Sequence, residues 1–307
     1  MTMRRMLVLA IGFVAIGGLG TPALAGGPLR VCLQSDDPPL SSQATASGFD
    51  VALSRLIAER LGRTLAIQWF TTRRDPDSNP PREASALVSD GRCELVAGYP
   101  LVADDLGHLD AETGTPPPFA GARPDDRRRR VKLGELIPTL AYRFDALTVI
   151  LSPGDAGRRV RKLADLANRN LGVETHSLAD LIAMSYAQGR LAERVVHFPD
   201  ARALFEQLED GRLDAALVGL HQFDAWRLQH PGTRLAPTGY THSVGFNIGF
   251  VGLPANRPLI ADVNAVLSDL MSHDGLAPVA AATGLTYLAP RSPDIAPGIP
   301  LAALTGD

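Results

Sequence analysis

Apolar positions follow two periods in turn along the chain, and the switching predicts a series of strands and helices. "LRVCL" (29–33) is a short apolar run of strand type, followed by the polar, proline-broken loop "QSDDPPLSSQATASG". Phe49, Leu53, Leu56, Ile57 and Leu61 then recur at helical spacing, with Gly62 as the stop. "LAIQWF" predicts a second strand, a short helix is expected near 82–89, and "CELVAG" a third strand. Short connections in this order predict right-handed crossovers and a parallel sheet. Residues 101–138 break the pattern; they hold "TGTPPPF" and the run Arg127–Arg130, and read as a solvated insertion loop.

The order then repeats. "YRFDALTVIL" (142–151) predicts a strand, 158–167 a helix, "NLGVE" a strand and "SLADLIAMSYAQGRL" a helix. "RVVHF" is a strand, and Ala201, Leu204, Phe205 and Leu208 mark one face of a helix over 200–209. "LDAALVG" is nearly unbroken apolar, as a strand covered on both faces requires. "VGFNIGFVGL" (244–253) is one more strand, and helices at 258–272 and 275–282 precede a proline-rich stretch from Arg291. Two successive α/β series predict two lobes with a small-molecule cleft between them. The carboxyl ends of the strands should form its rim.

The N-terminus adds a compartment. Arg4 and Arg5 precede an apolar run of about 15 residues and "ALA" at 23–25, the layout of a cleaved signal peptide. The run is shorter than the roughly 20 residues a spanning helix needs. The mature chain is therefore expected to start at Gly26 and to be periplasmic. Without Arg4 and Arg5, Lys+Arg falls from 30 to 28 against 33 acids. A mildly acidic chain without a basic face excludes nucleic acid as the expected partner. Cys32 lies in the first strand and Cys93 starts another; in an oxidising compartment they can pair, or stay as two buried thiols. The sequence contains no HExxH, GxSxG, P-loop or CxxC, and its seven histidines lack paired metal-ligand spacing. Neither an enzyme, a cofactor nor a metal is expected, and the chain is expected to be a monomer.

Six segments, in order, resemble periplasmic solute-binding proteins of family 3: "LRVCLQSDDPPLS", "GFDVALSRLIAERLG", "DGRCELVAGY", "LADLANRNLGVET", "LEDGRLDAALVG" and "NRPLIADVNAVLSDLMSHDGLAPVAAATGL". The resemblance implies the type II two-lobed α/β fold, each lobe a mainly parallel sheet flanked by helices. Residues 26–146 and 246–290 would form the first lobe, 147–245 the second, and 291–307 a flexible tail. It implies a binding role, served by a transporter permease or a sensor. Cys32, Pro38, Pro39 and Cys93 also resemble a subgroup encoded beside periplasmic quinoprotein alcohol dehydrogenases, which implies the alternative of an accessory to such an enzyme.

The family's amino-acid binders carry an arginine after the third strand, a place that falls near Asp105; "YPLVADDLGH" has none. They carry an acid five residues past the aspartate of the "GRxDA" turn, and here that position is Gly219. Losing one partner of a desolvated charge pair costs about 2–5 kcal/mol, so two absences imply roughly 10³-fold or more in affinity. The expectation is a small solute other than an amino acid. Its candidate contacts are Ser35, Asp36 and Asp37 past the first strand, Gly98 and Tyr99 past the third, and Tyr142 and Arg143 at the lobe crossing. In the second lobe they are Thr175, His176 and Ser177 at a helix start, and Gly219 and His221 past the "LDAALVG" strand. Free amides at 175–177 are expected to receive an anion, although Ser177 and Asp180 also read as a capping pair.

Overall fold

The computed structural model describes residues 26–72, 79–107, 112–126, 129–299 and 301–306. The expected signal peptide, Arg127, Arg128 and His108 lie outside them. Among the described residues no helix is long and apolar enough to cross a membrane.

The first series forms β1 (Leu29–Gln34), α1 (Phe49–Arg60), β2 (Leu65–Phe70), α2 (Pro80–Ser89) and β3 (Leu95–Pro100). β1 pairs in parallel with both β2 and β3. Next come β4 (Arg143–Leu151), β5 (Leu171–Glu174), α3 (Leu178–Ser185), β6 (Val195–Phe198), α4 (Ala201–Glu209), β7 (Ala215–Gly219) and α5 (Leu220–Gln229). β5 pairs in parallel with β6 and β7. The long β8 (Ala236–Gly252) runs antiparallel to β4 along one edge and to β3 near its end. It joins the two parallel groups into one curled sheet of nine strands, ordered β6-β5-β7-β4-β8-β3-β1-β2 with Ile137–Pro138 beside β8. α6 (Arg257–Ser272), α7 (Leu276–Thr283) and the short α8 (Leu301–Thr305) complete the chain.

Period-two burial builds a separate pair of cores on each parallel group. Val31 and Leu33 of β1 pack under α1 and α6, while Cys32 faces the opposite layer with Leu87 of α2. Ala215 and Leu217 of β7 join Val173 and Ile182, and Ala216 and Val218 join Leu204, Phe205 and Trp226. The middle of β1 and the whole of β7 are thus apolar on both faces because each face is covered.

Of the two open readings for the cysteines, the bonded one is found: Cys32 and Cys93 form a disulfide with a Cα–Cα distance of 5.5 Å. The insertion over 101–138 is tied to α2, with Ser85 Oγ donating to the Gly134 carbonyl and Arg129 pairing with Asp90. The helix expected over 158–167 is only a turn at Leu163–Leu166. Arg158, Arg159, Arg161 and Lys162 would repel one another along a helix there. The stretch from 291, read from sequence as a flexible tail, is docked at several points described below.

Candidate functional site

Two voids open where the carboxyl ends of the parallel strands face each other. The larger, about 300 Å³, lies between the turn after β1 (Asp36, Asp37, Pro38), Glu174 at the end of β5, the start of α4 (Asp200, Arg202, Phe205), and His221, Gln222 and Trp226 of α5. The smaller, about 190 Å³, is bounded by Asp145, Glu174, Ser177, Gly219, His221 and Phe246, among others. Glu174, His221 and Gln222 stand between the two.

His221 is the centre of the charge arrangement. Its Nδ1 lies 2.9 Å from Asp145 Oδ1 on β4, and Arg143 reaches the same carboxylate oxygen at 3.6 Å. Gly219 makes this possible: a Cβ there would stand 2.8 Å from the His221 ring. The Gly219 amide donates to Gln222 Oε1, and Gln222 Nε2 donates to Glu174 at 2.7 Å. Position 219 therefore carries no acid of its own but is surrounded by two, Asp145 and Glu174.

Burial works against ionising Asp145, yet the charges of His221 and Arg143 outweigh it and hold the carboxyl at about 2. For His221, burial would depress the pKa; the carboxylates of Asp145 and Asp37 reverse this and raise it. Asp37 is raised by burial, against the pull of His221 and Arg143. Asp50, at the start of α1, is pushed up to about 6 by burial, against Arg143 and the Tyr142 hydroxyl.

The residues singled out from sequence divide into three groups. Asp36, Asp37, Ser177, Gly219 and His221 line the voids. A second group is spent inside the protein. Tyr142 is 0% exposed, packed between Phe49 and Phe250; its hydroxyl donates to Asp50 and accepts from the Gly98 amide. Tyr99 is buried and donates to the Asp105 carbonyl. Ser35 is fixed by backbone bonds to Phe70 and Gln43. Arg143 is buried rather than on the surface, and Asp145, Asp50 and Asp37 offset its charge; its Nε has no hydrogen-bond partner among the described residues. The third group is the start of α3. There the amides of Thr175, His176, Ser177 and Asp180 are engaged by the Phe198 carbonyl, the Asp180 carboxylate, the Glu174 carbonyl and the Ser177 hydroxyl. The amides of 175–177, expected to receive an anion, are thus already spent on bonds within the protein.

Sequence reasoning missed Asp145, Glu174, Asp200, Gln222 and Trp226. The signal for Asp145 was a single acid inside the apolar run "FDALTVIL", where an unpaired charge would be costly. The signal for Glu174 was its place at the end of a strand. Among the described residues no group of side chains could hold a metal ion.

No family model matches the sequence, and no curated sequence does either. Solved structures do match. The L-cystine solute receptor of Neisseria gonorrhoeae, in an unliganded open conformation, aligns over 87% of this chain and 97% of its own at 14% identity, with a TM-score of 0.60. An ancestral cationic amino acid solute binding protein aligns over 83% and 95% at 16% identity, with a TM-score of 0.57. A histidine kinase sensor domain similar to periplasmic binding proteins aligns over 86% and 98% at 16% identity, with a TM-score of 0.53. At such identities the likeness speaks for the fold. With the two α/β series, the paired cores and the antiparallel strands between them, it shows that the chain has the two-lobed fold of periplasmic binding proteins.

Proposed function

We propose that the protein captures a small amine-bearing solute between two lobes, residues 26–146 with 246–290 and residues 147–245, and hands it on unchanged to a transporter or a sensor. The observation that carries this reading is the charge on the larger void. Asp36, Asp37, Glu174 and Asp200 line it, against only Arg202 and His221, and His221 is already matched by Asp145. A low-dielectric cleft with surplus carboxylate favours a cation. The sequence argument against amino acids rested on two absent charges. Glu174, on the wall of the larger void, supplies one of them in space, so the class reopens, and Arg202 at the start of α4 can face a carboxylate. The receptors for cystine and cationic amino acids named above use the same fold. Amino acids with a cationic side chain are therefore the first candidates. An exported, periplasmic location belongs to the same proposal. The comparisons offer nothing for a dehydrogenase partner, and that alternative is not carried forward.

A thermal-shift series with lysine, arginine, diamines, neutral amino acids and dicarboxylates tests the reading. A ligand at 100 times its Kd stabilises by about 2.7 kcal/mol, a shift of several degrees in a protein of this size. The expected result is a shift with a cationic amine, together with a fluorescence change from Trp226 on the wall of the larger void. Asp37→Asn and Glu174→Gln should each weaken binding about tenfold or more, as expected for loss of one partner of a desolvated pair. A shift with a dicarboxylate and none with any amine would overturn the proposal.

A further inference from the structure

The chain beyond α7 is more than a tail, and its course can be followed anchor by anchor. The Thr286 amide and hydroxyl both donate to Asp224, a fully buried carboxylate of α5, at 2.6 and 2.8 Å. Leu288 then accepts from the Phe144 amide on β4. Arg291 lies over the Phe144 ring at 3.9 Å, and its amide donates to Asn247 Oδ1 on β8. The Asn247 side-chain amide in turn donates to the carbonyls of Arg291, Pro293 and Asp294. Ala296 pairs with the segment after β3, exchanging backbone bonds with Leu101 and Ala103 at 2.9 and 2.8 Å. The chain then crosses again. Ile299, Ala303 and Leu304 pack on the core of Val149, Val173, Ile182 and Leu217, and His242 bonds the Gly306 carbonyl.

We infer that the stretch described over 286–299 and 301–306 forms a strap, a further covalent crossing between the lobes beside β4 and β8, which limits how far the cleft opens. The limit is geometric. The anchor at Ala296 belongs to the β3 side and the anchor at Ile299 to the β5–β7 side, with only Pro297 and Gly298 between them. Three successive Cα–Cα steps of 3.8 Å span roughly 11 Å at most. The two anchor points cannot separate further unless α8 leaves its seat. Asn247 is suited to hold the strap at the crossing: it is 5% exposed, sits on the strand shared by both halves of the sheet, and binds the strap through both side-chain atoms. The inference uses the two-lobe reading but no ligand, so it stands or falls separately from the proposed solute.

Lengthening the strap tests it without removing a contact. A Gly-Ser insert of about twelve residues between Pro297 and Gly298 adds a root-mean-square span of roughly 20 Å. Spin labels at Arg55→Cys and Glu193→Cys, both exposed, report the distance between α1 and the segment before β6 in ligand-free protein. The expected result is a longer and broader distance distribution with the insert than without it. A second variant ending at Pro290 should show a larger shift in the same direction. The same distribution for the lengthened and natural chains would overturn the inference. So would fast amide exchange at 303–305 in the natural chain, which would show that α8 is not seated.

Discussion

At position 219 the lack of a side chain is what lets the His221 ring reach Asp145. The backbone there is ordinary, so the requirement is space and not conformation: an added Cβ would stand 2.8 Å from Cε1 and 3.1 Å from Nδ1 of a ring pinned by a 2.9 Å bond. Gly219→Ala should therefore push His221 off Asp145. The cost expected for forcing a methyl into such a site is about 1–3 kcal/mol. The sharper readout is the His221 ring itself. Removed from the carboxylate that raises it, its titration should move down toward the value of a free imidazole, measured by NMR across pH. An unchanged His221 titration in Gly219→Ala would show that the ring has room that the structure does not give it. This residue also shows why the site was only half readable from sequence. The strand-end rule located Asp37, Gly219 and His221. It could not join His221 to Asp145, because the partners lie 76 positions apart and neither belongs to a motif.

Helices and strands were readable where packing decides them and obscure where charge does. β7 was clear because all five of its residues are buried, each face on its own core. β8 was expected only from 244, yet it begins at Ala236. Its first half alternates buried Tyr240, His242 and Val244 with exposed Thr241 and Ser243, a half-buried stretch whose inward positions before Val244 are not aliphatic. Of the helix expected over 158–167 only the turn at Leu163–Leu166 forms, after four cations that a longer helix would bring within a turn of one another. Between elements, the disulfide is the strongest local tie. It closes a loop of 61 residues from β1 to the start of β3. In the chain-entropy description this adds about 4 kcal/mol by restricting the unfolded chain. The double variant Cys32→Ser, Cys93→Ser should lose about that much in urea unfolding. Oxidised and reduced natural protein with the same midpoint would show that the bridge adds nothing. The start of α3 should be worth less: Ser177→Ala removes the acceptor for the Asp180 amide and should cost about 1 kcal/mol.

For the molecule as a whole, the cleft groups set the direction in which stability varies with pH. Asp145 is held at about 2, below its ordinary 3.8, so its contribution is present above pH 3.8 and is lost as pH falls through 2. Asp50 is the opposite case. Raised to about 6, it favours the fold fully below 3.8 and loses that advantage as pH rises through 6. Asp37 is raised as well and acts in the same sense. His221, raised above 6.5, contributes fully below that value and loses its contribution as pH climbs through its folded pKa. The signs agree on one optimum: greatest stability near pH 4, where Asp145 is ionised while Asp50, Asp37 and His221 still favour the fold, and a decline as pH rises through 6 toward 8. Asp50 is the cleanest place to test this, because it is buried and its Tyr142 partner can donate to an amide oxygen as well as to a carboxylate. A displacement of about two pKa units corresponds to roughly 3 kcal/mol between the protonation states. Asp50→Asn should therefore raise the midpoint of thermal unfolding at pH 8 by several degrees and leave it nearly unchanged at pH 4, flattening much of the decline. Equal effects of the substitution at pH 4 and pH 8 would mean that Asp50 is already ionised throughout, and that Arg143, rather than burial, governs the centre of the fold.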